Sequence, residues 1–186
     1  MTARQVVSRR NFLAAGTTAA VGWALGPSLA GAGDSATPVR AMRIGIIGSG
    51  QMGGGLGRLW ARAGHQIFFS SRNPDELGEL VASVGPLARA GSPADAARFG
   101  EVVLIAVPYG ALPQIGRDYG PLMQGKVVID CGNPREDRDG PMAAEAIAKG
   151  TGVASAEYLP GVRLVRAFNA ISAVMLERDA HRPPPR

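Results

Sequence analysis

The chain has 186 residues, 46% hydrophobic and 19% charged, with 26 glycines, about twice the usual share. That composition excludes an acidic disordered tail, a coiled coil and a collagen, and a single cysteine, Cys131, with two histidines, His65 and His181, argues against a disulfide framework or a zinc site. The formal charge of +5 falls to +2 without residues 1–32, and no Lys/Arg run interleaves with aromatics, so nucleic acid is not an expected partner.

Residues 1–32 read as an export signal. Ser8-Arg9-Arg10-Asn11-Phe12-Leu13 precedes an uncharged apolar stretch, 14–30, and the small residues Ala30-Gly31-Ala32 offer a cleavage site. The paired arginines before Phe-Leu fit the twin-arginine pattern, with Ala14 where a lysine is frequent. The stretch is too weakly apolar to be a good membrane span. The expectation is delivery to the periplasm by the twin-arginine export machinery, with the signal cleaved near Ala32. Residues 33–42, small, polar and Pro-containing, read as a linker, and 43–178 as the folded domain.

From Arg43 the sequence alternates short apolar runs with helical patterns. Strands are expected at 43–47, 66–70, 102–107, 126–130 and 163–167, with a weak one near 87–89. Helices are expected at 51–63, closed by Gly64, and after Asn73-Pro74-Asp75-Glu76. Two more follow at 93–98, capped by Ser92, and at 143–149. Strand–helix alternation over about 130 residues implies an α/β fold with a doubly wound parallel sheet.

Gly48-Ser49-Gly50-Gln51-Met52-Gly53 fits G-x-G-x-x-G between the first strand and first helix, the context in which that motif binds a dinucleotide. Gly48 permits the turn, Gly50 lets the backbone approach a pyrophosphate, and Gly53 lets helix and strand pack closely. Gly54, Gly55 and Gly57 lack an explanation at this level. An NAD-preferring fold places a carboxylate at the end of the second strand. Here Ser70-Ser71-Arg72 stands there, a hydroxyl and a guanidinium suited to a 2′-phosphate, which argues for NADP.

These motifs, with Ala63-Gly64-His65, Ala106-Val107-Pro108, the segment 130–134 and Val165-Arg166-Ala167-Phe168-Asn169, carry a family resemblance. Residues 42–169 resemble the NADP-dependent oxidoreductases related to coenzyme F420-dependent NADP reductase, which share an N-terminal domain signature with pyrroline-5-carboxylate reductases. The resemblance implies a Rossmann-type domain in which Ser49, Ser71 and Arg72 hold the 2′-phosphate. It implies that Ala106, Val107 and Pro108 line the path toward the nicotinamide, and that Asn133, Pro134, Ala167, Phe168 and Asn169 lie beside that ring. Asp75 and Glu76 stand where some members have another basic residue, which softens the NADP preference.

The implied reaction is hydride transfer between NADP and a deazaflavin (F420) or flavin-like acceptor, without a side-chain acid or base. None is evident here. His65 reads as structural, His181 as part of a Pro-rich tail at 179–186, and Cys131 as a buried thiol. Asp130 either orders its loop or contacts ligand, and Tyr109 and Tyr158 read as packing residues. Family members continue past the Phe-Asn segment with a further strand and helix. A C-terminally truncated domain, or one completed by a partner subunit in a homo-oligomer, is therefore the expectation. Two alternatives stand beside the oxidoreductase reading: a non-catalytic NADP-binding module, and an imine or hydroxyacid reductase completed by oligomerisation.

Overall fold

The computed structural model describes residues 40–180 and residue 182. The twin-arginine segment, the first part of the linker, His181 and the prolines of the tail lie outside the described residues. Six strands form one parallel sheet in the order β3-β2-β1-β4-β5-β6. They are β1 (Arg43–Ile47), β2 (Gln66–Ser70), β3 (Ala88–Gly91), β4 (Val102–Ile105), β5 (Val127–Asp130) and β6 (Arg163–Arg166). The connecting helices are α1 (Gln51–Arg62), α2 (Gly78–Val84), α3 (Pro93–Phe99) and α4 (Leu112–Met123), followed by α5 (Glu136–Asp139), α6 (Pro141–Lys149), α7 (Thr151–Tyr158) and α8 (Ala173–Asp179). This is the doubly wound architecture that the alternation implies. Its order reverses between β1 and β4, where such sheets open a ligand crevice at the strand C-termini.

Apolar side chains on both sheet faces supply two cores. Ile47, Val103, Ile105 and Val128 pack toward α3, α4 and α7, and Ile44, Ile46, Ile67, Phe69 and Leu104 toward α1. Several glycines are spacing devices. A Cβ at Gly45 would lie 2.0 Å from the Ala96 carbonyl oxygen, so α3 sits directly on β1. At Gly57 it would enter the Phe69 ring, 2.3 Å away, and at Gly55 it would crowd Glu177 of α8. The Phe69 contact explains a glycine that the motif alone does not, whereas Glu177 is a flexible, partly exposed side chain that can give way. Gly54 has only ordinary contacts, and nothing in the structure explains it.

Local signals act largely as their chemistry dictates. Ser92 and Asp95 form a reciprocal capping box on α3, and Gly64 follows α1 with φ +90°. Asn73, expected to cap a helix, makes no capping bond: its side-chain amide donates to Glu76, and Pro74–Leu77 is a 3₁₀ turn leading into α2. The strand expected at 102–107 ends at Ile105. The linker ends earlier than its composition suggests. The Met42 amide donates to His65 Nδ1, which is buried, and Arg40 pairs with Glu101. His65 is therefore structural. At the other end α8 includes Asp179, one residue past the expected boundary.

Four helices went unforeseen. In α4, Gly116, Gly120 and Pro121 disguise the pattern; Leu112, Ile115 and Met123 are nevertheless buried, and Gly116 lets Tyr158 of α7 approach closely. The helices α5, α7 and α8 have four, eight and seven residues, short enough for weak periodicity. No described helix is long and apolar enough to cross a membrane.

Candidate functional site

The C-terminal edge of the sheet gathers most of the residues expected there. Gly48, leaving β1 with φ +95°, turns against the next loop: a Cβ would meet the Ala106 oxygen at 2.5 Å and Val107 Cγ1 at 2.6 Å. The β1 and β4 loops therefore touch at the switch point, placing Ala106 and Val107 beside the phosphate loop. Pro108 is exposed after them. Gly53 brings α1 down on that loop, since its Cβ would lie 2.0 Å from the Gly48 oxygen. Gly50 differs, with nothing within 4 Å of where a Cβ would stand. It is the N-cap of α1, makes no side-chain cap, and leaves the first-turn amides facing a clear approach, with Gln51 exposed and Met52 half-buried. The shape fits a pyrophosphate: tight where protein must close, vacant where a ligand must come near.

Ser49 is engaged with β2. Its Oγ donates to the Ser70 carbonyl at 3.1 Å and accepts from the Ser70 amide at 3.0 Å, while Ser70 Oγ donates to the Ile46 oxygen. Ser49 thus fastens the loop to the neighbouring strand, and its only proton is committed there. Ser71 Oγ accepts from the Asn73 amide. Arg72 is exposed and makes no ion pair among the described residues. With no carboxylate at the end of β2, its positive charge is available to an anion there. Asp75 and Glu76 follow on the 3₁₀ turn.

At the far end, β5 and β6 finish in a polar network that sequence reasoning largely missed. Asp130, 1% exposed, accepts from Ser155 Oγ at 2.9 Å and Arg166 Nη1 at 2.8 Å through Oδ2, and from the Gly132 amide at 2.8 Å through Oδ1. Arg166 Nη2 donates to the Gly132 oxygen at 2.7 Å, as does Asn169 Nδ2 at 3.0 Å. Asn133 Nδ2 donates to the Asn169 oxygen at 2.7 Å. Buried Tyr109, just after β4, bonds Ser155 at 3.1 Å with its ring beneath Arg166. Asp130 thus orders its loop, the first of the two roles it could have. Tyr109 and Tyr158 pack edge to face. The paired register Asp130↔Arg166 was the signal that a sequence could not supply.

Phe168 takes φ +64°, unusual for a non-glycine, and packs edge-on against Trp60 of α1. Ala167 and Pro134 are half-buried beside it and Asn133 respectively in the two loops. Cys131, at the end of β5, donates to the Ile105 oxygen, and burial pushes its thiol up to about 11. The reactive thiolate is accordingly scarce at neutral pH. Alkylation of the native protein at pH 8 is expected to run roughly a hundredfold slower than for an unperturbed thiol; iodoacetamide labelling followed by mass spectrometry checks this. A fast reaction would mean that the site opens. No cluster of metal-ligating residues occurs among the described residues.

The strand order and the glycine loop after β1 are those of a Rossmann-type domain. Residues 43–134 match the family described as "NADP oxidoreductase coenzyme F420-dependent". Over 155 residues the chain is 30% identical to the metalloreductase STEAP3 of Rattus norvegicus; the match covers 78% of this chain and spans 28% of that relative. A structure assigned as an F420-dependent NADP-reductase of Arthrobacter sp. FB24 superposes with a TM-score of 0.63 at 20% identity, covering 75% of this chain and 68% of that one. The hypothetical protein SMa0349 of Sinorhizobium meliloti gives 0.62 at 26%, with 76% and 68% covered.

Proposed function

We propose that the domain binds NADPH across its C-terminal sheet edge and transfers hydride to a deazaflavin (F420) or flavin-like acceptor. The observation that carries the reading is the pairing of an open Gly50 at the helix start with an exposed Arg72 at the end of β2 that makes no ion pair among the described residues. Amides of residues 49–53 receive the pyrophosphate, and Arg72 with Ser71 receives the 2′-phosphate. Ser49 contributes its amide and its hold on β2. The path then crosses Ala106, Val107 and Pro108 to a nicotinamide seat formed by Asn133, Pro134, Ala167, Phe168 and Asn169. Bound NADPH supplies the hydride chemistry; the residues supply orientation and exclusion of water.

The SRRNFL motif supports export to the periplasm, with NADP loaded before transport as a folded protein. NADPH and NADH titrations followed by nicotinamide fluorescence, then acceptor-dependent NADPH oxidation with F420 or a flavin, test the function. Tighter NADPH binding with acceptor-dependent turnover is expected. Binding without turnover on any acceptor would select the non-catalytic module, turnover on imines or hydroxyacids would select that reductase class, and no binding by folded protein would remove the NADP reading.

A further inference from the structure

We propose that Arg166 is a positioning residue for the nicotinamide end of the cofactor, acting through the Gly132 carbonyl and the Asn169 side chain. This rests on the NADP reading above. In a parallel sheet all C-terminal ends share one edge. With strands about 4.8 Å apart, the end of β5 lies roughly 10 Å from β1 and that of β6 roughly 14 Å. The pyrophosphate loop follows β1 and Arg72 follows β2, so a dinucleotide with its 2′-phosphate at Arg72 runs its other half past β4 toward β5 and β6. The loops that it meets there are 131–133 and 167–169.

Those loops are joined by two hydrogen bonds, and Arg166 enters at one of the two acceptors. The Gly132 oxygen receives both Arg166 Nη2 and Asn169 Nδ2, while Asn133 returns a bond to the Asn169 backbone. Arg166 reaches it with one arm of its fork while the other holds Asp130. A lysine has no such rigid fork. The backbone between Arg166 and Asn169 includes Phe168 in the left-handed region, a conformation that persists where neighbouring contacts enforce it. Tyr109 and Ser155 complete the network, so three strand ends share it.

Stability alone is a poor reason for such an arrangement. The Arg166 side chain is 20% exposed and that of Asp130 2%, and a well-packed apolar pair of similar size commonly stabilises a fold as well as a buried ion pair does. What an apolar pair cannot do is fix the Gly132 carbonyl and the Asn133–Asn169 bond in one relative position.

The test uses wild type, Arg166→Met and Arg166→Lys. The lysine variant keeps a cation beside Asp130, so it retains a fold even where methionine leaves that carboxylate unpaired. Each is titrated with NADPH and with 2′-phospho-ADP-ribose, which lacks the nicotinamide, and melting temperatures are recorded. In folded variants, 2′-phospho-ADP-ribose affinity is expected to stay within about threefold of wild type, while the fluorescence enhancement of bound NADPH falls toward the free value. Unchanged enhancement in the folded lysine variant would overturn the proposal, as would parallel loss of both ligands. Wild type binding neither ligand would instead overturn the NADP reading and this inference with it.

Discussion

Gly50→Val is expected to leave the fold standing and to weaken NADPH binding at least a hundredfold, whereas Gly53→Val is expected to unfold the domain. The two glycines belong to one motif, yet their surroundings are opposite. Beyond the chain neighbours of Gly50, no atom lies within 4 Å of where its Cβ would stand, so a valine meets only the space that the proposed pyrophosphate seat needs. A hundredfold loss is about 2.7 kcal/mol, which exclusion of the phosphates from the amides readily supplies. At Gly53 the Cβ would lie 2.0 Å from a backbone oxygen and 3.1 Å from Ile46 Cγ2, and backbone cannot step aside as a flexible side chain can. The cost is several kcal/mol, against the roughly 5–15 kcal/mol that holds a domain together. Thermal melting with an NADPH titration separates the two. A Gly50→Val protein that binds NADPH normally would place the pyrophosphate elsewhere.

The second large effect is cofactor choice. Arg72→Glu is expected to lower NADPH affinity by about two to three powers of ten while leaving NADH within a few-fold. A hydrogen bond to a charged group contributes about 1.5–3 kcal/mol, and replacing the guanidinium with a carboxylate adds repulsion to that loss. Asp75 and Glu76 already place negative charge nearby, so the proposed 2′-phosphate site rests on the Arg72 cation. Because the site is exposed, the preference of the wild type should shrink as salt rises. Binding curves for both nucleotides at low and high salt measure it. Equal losses for NADPH and NADH would show that Arg72 does not read the 2′-phosphate.

The architecture was legible because its signals are local. Apolar runs such as 102–107, the glycine loop, and Ser92 ahead of Pro93 each announce themselves within a few residues, and strand–helix alternation constrains the sheet. What stayed hidden depends on neighbours distant in sequence. Arg166 looks like a polar residue of an edge strand until the register sets it opposite Asp130. The Ser49 hydroxyl looks free for a phosphate until Ser70 comes alongside and engages it. Gly57 looks gratuitous until β2 lays the Phe69 ring against it. The helix α4 failed for another reason: Gly116 serves a close approach to α7, and with Gly120 and Pro121 it spoils the very periodicity that identifies a helix.

The double bond between Ser49 and the Ser70 backbone has a thermodynamic consequence. A phosphate loop that must be gathered on binding gives up conformational entropy at that moment, and the affinity is lower by that amount. Here a side chain on the loop has already closed one donor and one acceptor of the adjacent strand, so the ordering belongs to folding rather than to ligand capture. In the proposed site the nucleotide would meet a surface cast in advance, and its phosphates would spend their attraction on holding rather than on arranging.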